Sequence, residues 1–104
     1  MCIRDRHKLA DMQTLTNSAK ALTYAVAEKM RRGEPAVQEV AQAKNHAAQV
    51  AREVCWEAVQ IHGGMGYMRE TLVERLARDA RLLPIGGGTN EIMREIIARD
   101  LTST

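Results

Sequence analysis

The chain is poor in aromatic residues and in cysteine. Only 3% of its 104 residues are aromatic, and none is Phe. Its two cysteines, Cys2 and Cys55, have no metal-binding or redox spacing, so we interpret both as reduced thiols and Cys55 as a small core residue. No pairing of the three histidines with the two cysteines gives a zinc spacing, so the sequence predicts no metal site.

Strong charge of one sign and long apolar runs are also missing. The formal net charge is +2, with acids and bases interspersed, which argues against nucleic acid as the main partner because such proteins carry a clustered basic face. No apolar run approaches about 18 residues, so no membrane span is predicted. The first six residues are not followed by an apolar stretch, so they do not form a signal peptide.

The apolar residues recur with the period of a helix throughout. The pattern predicts helices over about residues 7–32, 35–61, 70–81 and 89–101, and no strand. Gly33 lies where glycine commonly ends a helix, and Pro35 fits the first turn of the next one. The short connection makes the two long helices antiparallel neighbours. The predicted fold is therefore an all-α, up-and-down bundle, with two long and two shorter helices that form an incomplete four-helix bundle.

A few side chains in this pattern invite a specific interpretation. We expect Trp56 to anchor the core. Lys44 interrupts the apolar stripe of the second helix, and either its stem lies along that face or its ammonium joins an ion pair. Two pairs at i,i+4 should stabilise the third helix: Glu74 with Arg78, and Arg75 with Asp79.

Two glycine-rich turns precede the last two helices. The first is Gly63-Gly64-Met65-Gly66, and the second is Gly86-Gly87-Gly88. Glycine lets a ligand approach the backbone, and a helix start offers free N–H groups and a positive dipole end to an anion. Taken alone, the first turn could equally be a plain helix stop and the second a flexible linker.

The residues around these turns resemble the C-terminal helical domain of the acyl-CoA dehydrogenases. The matching residues are Gln60, Gly63, Gly64, Gly66 and Tyr67, then Glu74-Arg75, Arg78-Asp79 and Ile85, and finally Gly88-Thr89-Asn90-Glu91-Ile92, Arg94 and Ile97-Ala98-Arg99. Upstream, Leu9-Ala10-Asp11-Met12 and Ala43-Lys44 also match. So many spaced identities are far more specific than one glycine motif.

The resemblance implies a flavoenzyme that desaturates an acyl-CoA thioester between its α and β carbons. In this family FAD lies between subunits of a homo-oligomer, a dimer or tetramer, and electrons pass to an electron-transfer flavoprotein. Carried over, the cofactor contacts are Gln60, Ile61, His62, Gly63 and Gly64, together with Thr89, Asn90 and Glu91. Gly87 and Gly88 face the substrate. For His62 we favour contact through the backbone over an acid–base role. The expected location is the cytoplasm of a bacterium.

One position departs from the family pattern. Many members carry the catalytic glutamate two residues before the threonine, where this chain has Gly87. Glycine cannot take a proton, so no catalytic side chain is expected in this chain. We expect the base on an upstream helix, as in the long-chain and isovaleryl-type members. The backbone N–H of Gly87 could still stabilise the thioester oxyanion.

The expected organisation is a non-native leader at residues 1–6 and an N-terminally truncated domain at residues 7–104, inactive by itself. Two alternatives stay open. One is a relative with altered chemistry, either non-catalytic or an oxidase. The other is a helical interaction module without a cofactor.

Overall fold

A computed structural model of the chain describes residues 2–102, and that range contains helices and no strand. Met1, at the start of the predicted leader, and residues 103–104, at the end of the predicted domain, lie outside the described residues. The elements are α1 (Ile3–Arg31), α2 (Val37–His62), a 3-10 helix (Gly63–Tyr67), α3 (Leu72–Ala80) and α4 (Asn90–Thr102). The predicted all-α fold is confirmed.

Three helix starts differ from the prediction by two residues or more. Helix α1 begins at Ile3 rather than near residue 7. Helix α2 begins at Val37, so Pro35 lies before the helix, because the intervening Ala36 is buried with φ −143°, which is not helical. Helix α3 begins at Leu72, because the backbone of Thr71 is extended, with φ −91° and ψ 130°. The Thr71 hydroxyl donates to the carbonyl of Met65 at 2.5 Å.

The two long helices run antiparallel, as predicted. Three polar contacts join them: Lys8 Nζ to Glu57 Oε2 at 3.0 Å, Ser18 Oγ to His46 Nε2 at 2.9 Å, and Lys29 Nζ to Glu39 Oε1 at 2.9 Å. Residue numbers rise along α1 as they fall along α2. The helices therefore lie alongside each other over most of their length.

Gly33 ends α1 as predicted. It takes φ +76°, a conformation that side chains disfavour. Its N–H donates to Met30 O at 2.9 Å, and the N–H of Glu34 donates to Lys29 O at 3.2 Å. These two bonds form a Schellman motif, which satisfies carbonyls that the last helical turn leaves free.

Helix α2 lies at the centre of the fold. It contacts α1, α3, α4 and the 3-10 helix, whereas α1 contacts α2 alone among the described elements. The buried apolar residues are small, namely Val26, Ala36, Ala41, Ala43, Ala48, Val50 and Ala80. The described chain measures 52 × 24 × 23 Å, and small side chains along α2 let its neighbours approach closely.

Two side chains predicted to fill the core do not do so. Trp56 is 74% exposed, because it lies two residues from Val54 and so points about 200° around the helix from the apolar stripe. Cys55 is only half-buried, although this burial raises the pKa of its thiol. Between residues 2 and 102, no helix combines the length and apolar character that crossing a bilayer requires.

Candidate functional site

The first glycine turn (residues 63–67) is a 3-10 helix that continues directly from α2. Gly63 takes φ +64°, which redirects the backbone at the helix end. Gly66 is buried against α2, and a Cβ built on it would lie 2.5 Å from the carbonyl oxygen of Val59. The hydroxyl of Thr71 fixes the outer side of the turn by donating to Met65 O. The turn is therefore held on both sides.

The predicted cofactor contacts at this turn lie together at the C-terminal end of α2. Gln60, His62, Gly63 and Gly64 are exposed, and Ile61 is half-buried. No atom lies within 4 Å of a Cβ built on Gly63 or Gly64, so a ligand can reach the backbone there. The ring of His62 turns back onto its own helix, where Nδ1 donates to Ala58 O at 2.8 Å. The preference for contact of His62 with the cofactor through its backbone, over an acid–base role, stays a prediction.

The second glycine turn (residues 82–88) joins α3 to α4. Its first half is closed by the carbonyl of Leu82, which accepts the N–H groups of Ile85 and Gly86, each at 2.8 Å. Gly87 and Gly88 take φ +72° and +114°. A Cβ on Gly88 would collide with the methyl group of Met93. Both positions favour glycine for their positive φ, since the Met93 methyl group lies at the end of a flexible side chain and can move aside.

Gly87 presents its backbone outward. The residue is exposed, and its N–H donates no hydrogen bond to any atom of residues 2–102. A free N–H at the surface of a fixed turn is the kind of donor that stabilises an oxyanion.

Thr89 caps α4. The N–H of Ile92 donates to Thr89 Oγ1 at 3.1 Å, so the Thr89 side chain satisfies one of the free N–H groups at the start of the helix. Asn90 is half-buried and Glu91 exposed in the first turn of the helix. The predicted contacts Thr89, Asn90 and Glu91 thus follow the second glycine turn directly.

Two adjacent residues in the middle of α2 hold this second turn. Lys44 Nζ donates to Leu83 O at 2.9 Å and also to Gly88 O. Asn45 Nδ2 donates to Asn90 O at 3.1 Å. The ion pair considered for Lys44 does not form among residues 2–102, because the ammonium binds carbonyls instead. The path of its stem along the apolar face stays a prediction. The only sequence signal for these contacts was the charged Lys44 within the apolar stripe of the second helix.

The two glycine turns do not form one pocket in a single copy of the chain. The start of α4 lies beside Asn45, whereas the first turn follows Gln60 and His62 at the end of α2. Fifteen residues of helix separate Asn45 from Gln60, which is roughly 23 Å at about 1.5 Å per residue. The predicted cofactor contacts therefore form two separate groups.

A groove of about 1090 Å³ lies beside the first turn, between α2 and α3, and the sequence did not predict it. Trp56 and Tyr67 line it, with the ion pair between Glu74 and Arg78. Arg78 Nε lies 3.1 Å from Glu74 Oε1, as predicted, and this hydrogen bond raises the pKa of Arg78.

The other predicted ion pair of α3 does not form. Within residues 2–102, Arg75 and Asp79 do not come within 4.0 Å of each other as an ion pair. No cluster of three metal-ligating side chains occurs in the same range.

Comparison with known proteins gives consistent matches. Residues 5–102 match the family model described as "Acyl-CoA dehydrogenase, C-terminal domain". The 3-(aryl)acrylate reductase of Clostridium sporogenes is 46% identical over 90% of this chain and 25% of its own length. A subunit of the caffeyl-CoA reductase-Etf complex of Acetobacterium woodii is 41% identical over 86% and 24%.

The fold has a similar counterpart among solved structures. A probable acyl-CoA dehydrogenase from Mycobacterium abscessus superposes with a TM-score of 0.91 and 53% identity, over 92% of this chain and 26% of that one. The chain thus spans about a quarter of the length of the relatives it matches.

Proposed function

The chain belongs to the acyl-CoA dehydrogenase family, and from that premise we propose that it is the C-terminal helical domain of an FAD-dependent enzyme that desaturates an acyl-CoA thioester. In this proposal residues 7–104 belong to the domain, and the enzyme's other domains lie outside this chain, which spans about a quarter of its relatives. The 104-residue chain is then inactive by itself, because the covering domains and the base are elsewhere.

The observation that best supports this proposal is the second glycine turn. The exposed N–H of Gly87 has no partner in the described chain and follows a turn closed by Leu82 O. Removing a proton α to a thioester places negative charge on the carbonyl oxygen, which needs a hydrogen-bond donor. Gly87 supplies that donor, and Gly88 borders the acyl chain.

The base in this proposal is a carboxylate on an upstream helix. Gly87 occupies the position that holds a glutamate in many members, and its φ of +72° disfavours a side chain there. Substrate that covers such a carboxylate excludes water and raises its pKa toward the working pH. That shift makes it a more effective base for the α-proton.

The two glycine turns would hold different parts of FAD. The open backbone at Gly63 and Gly64 fits the close approach of a diphosphate. Gln60, Ile61 and His62 belong to the same group of contacts, and Thr89, Asn90 and Glu91 form the second. FAD, when bound, accepts the β-hydride. The roughly 23 Å between the groups suits a cofactor shared between subunits of a dimer or tetramer.

Relatives bear on the direction of the reaction and on the partner. Two of them are named reductases, and reduction of an α,β double bond is the reverse of desaturation. Reduction is therefore the second candidate function. One relative is a subunit of a reductase-Etf complex, which supports an electron-transfer flavoprotein as the partner here.

The test uses the full-length polypeptide that carries this segment, purified with its flavin. We expect bound FAD, bleaching of the flavin by a saturated acyl-CoA without oxygen, and reoxidation by an electron-transfer flavoprotein. Bleaching by none of a panel of straight, branched and aryl thioesters would favour a non-catalytic relative. A protein that binds no FAD would refute the proposal and favour a cofactor-free helical module.

A further inference from the structure

We propose that Lys44 is a positioning residue for the second glycine turn, in which it fixes the orientation of the Gly87 N–H. This inference rests on the proposed function for its catalytic consequence. The tether itself is independent of that function. Lys44 would touch neither substrate nor cofactor and would act through the backbone of the turn.

The contacts place one cation at both ends of the turn. Lys44 Nζ binds Leu83 O at 2.9 Å and also Gly88 O, residues that lie 39 and 44 positions farther along the chain. Between these two carbonyls lie Pro84 and the exposed N–H of Gly87. Hydrogen bonds from a charged donor are about twice as strong as neutral ones. The ammonium thus links the carbonyl of Leu83 at the start of the turn to the carbonyl of Gly88 at its end.

The turn needs this link because its glycine backbone is flexible. Gly87 and Gly88 sample more backbone conformations than other residues, and ordering them costs about 1–2 kcal/mol each in conformational entropy. The bonds to Leu82 O order the first half, through Ile85 and Gly86, and the N–H of Asn90 donates to Pro84 O at 3.2 Å across the second half. Within that span Lys44 is the side chain that holds the carbonyl of Gly88.

Removal of the ammonium would leave two carbonyl oxygens directed at the same empty point. The two oxygens repel each other, and a half-buried carbonyl oxygen is left without a hydrogen bond. The turn would then rotate its peptide groups toward solvent. The direction of the Gly87 N–H would change with them, since these peptide groups are nearly adjacent in the chain.

Neighbouring contacts separate this role from general packing. No carboxylate forms an ion pair with Lys44 among residues 2–102, so its charge is directed at the turn. Asn45 holds the start of α4 independently, by its 3.1 Å bond to Asn90 O. Loss of Lys44 should therefore loosen the turn and leave α4 docked.

The experiment compares Lys44→Met, Lys44→Arg and Lys44→Gln in the full-length holoenzyme. Lys20→Met, an exposed residue of α1, is the matched control. Hydrogen–deuterium exchange of residues 83–89, observed at the hydrogen-bonded amides of Leu83, Ile85 and Gly86, tests the tether. We expect faster exchange there in Lys44→Met, and unchanged exchange in α4 and in the control.

Steady-state kinetics test the catalytic consequence of the tether. We expect Lys44→Met to retain its flavin and a KM within about threefold of wild type, while kcat falls roughly 10- to 100-fold, less than for direct loss of an oxyanion donor. Lys44→Arg should recover most of kcat, because it restores a charged donor. A purely structural role would lower the melting temperature and flavin content without this selective loss of kcat.

Three results would overturn the inference. They are unchanged exchange of residues 83–89 in Lys44→Met, a kcat within twofold of wild type in that variant, and no recovery in Lys44→Arg. If Lys44→Met does not fold, a wild-type kcat in folded Lys44→Gln would also overturn the inference. If the turn exchanges faster in Lys44→Met but the wild-type protein shows no turnover, the tether is supported and only the proposed function is refuted.

Discussion

Replacement of Gly66 by alanine should separate the packing of the first glycine turn from its chemistry. Gly66 is buried, and a Cβ built on it lies 2.5 Å from Val59 O, 3.0 Å from His62 Cβ and 3.1 Å from the carbonyl carbon of Val59. Two of these atoms belong to the backbone of α2. No rotation of a side chain can relieve the contact, so the turn must move away from the helix.

The size of the effect follows from that displacement. Ordinary van der Waals contact begins near 3.4 Å, so the turn must shift by about 0.9 Å. Overpacking against a rigid neighbour costs about 3 kcal/mol, and the lower entropy of unfolded alanine returns up to about 1 kcal/mol. The net loss of about 2 kcal/mol should lower the Tm of the 104-residue chain by roughly 8–16 °C, measured by circular dichroism.

Gly64→Ala is the matched control within the same turn. Gly64 does not take a positive φ, and no atom lies within 4 Å of its built Cβ. Its Tm should stay the same or rise by a few degrees. Its FAD affinity should nevertheless fall, because the added methyl blocks the backbone from the diphosphate. If Gly66→Ala melts at or above the wild-type temperature, the packing of the turn against Val59 is wrong.

Two further predictions concern an ion pair and a helix cap. Lys29 donates a hydrogen bond to Glu39 and holds the pKa of that carboxyl below its usual range. The pair therefore stabilises the folded protein above about pH 4. This stabilisation is lost as the pH falls through the pKa of Glu39 in the folded state. Glu39→Gln should therefore lower the urea midpoint at about pH 7 but not at about pH 3, and an equal loss at both would contradict this. Thr89→Ala should cost about 1 kcal/mol and lower Tm by roughly 4–8 °C, whereas Thr89→Ser should retain the cap and the wild-type Tm.

Local chemistry explains what the sequence predicted well. Gly33 and Thr89 end and begin helices through bonds to residues only a few positions away, so their roles are visible in a short window. The antiparallel pairing of α1 with α2 follows from the short link between them. The family resemblance depended on the same kind of information, since its identities cluster in the two turns and the helices that follow.

Long-range contacts explain what was missed. Nothing near Lys44 in the sequence indicates that its ammonium binds carbonyls 39 and 44 residues away. Trp56 was judged by its size and hydrophobicity, although its angular position on α2 already directed it away from the apolar stripe. The groove beside Tyr67 depends on how α3 packs against α2, and no period along the chain encodes that packing.

The central place of α2 also determines the order in which the chain can become structured during synthesis. Helix α1 leaves the ribosome before its only partner among the described elements exists, and it must wait for α2. The first glycine turn can form as soon as α2 and Thr71 have emerged. The second turn must wait for the carbonyls of Leu83 and Gly88, which Lys44 binds, to emerge. Until then the Lys44 ammonium lacks its partners, so the donor at Gly87 acquires its final geometry later than the first turn does.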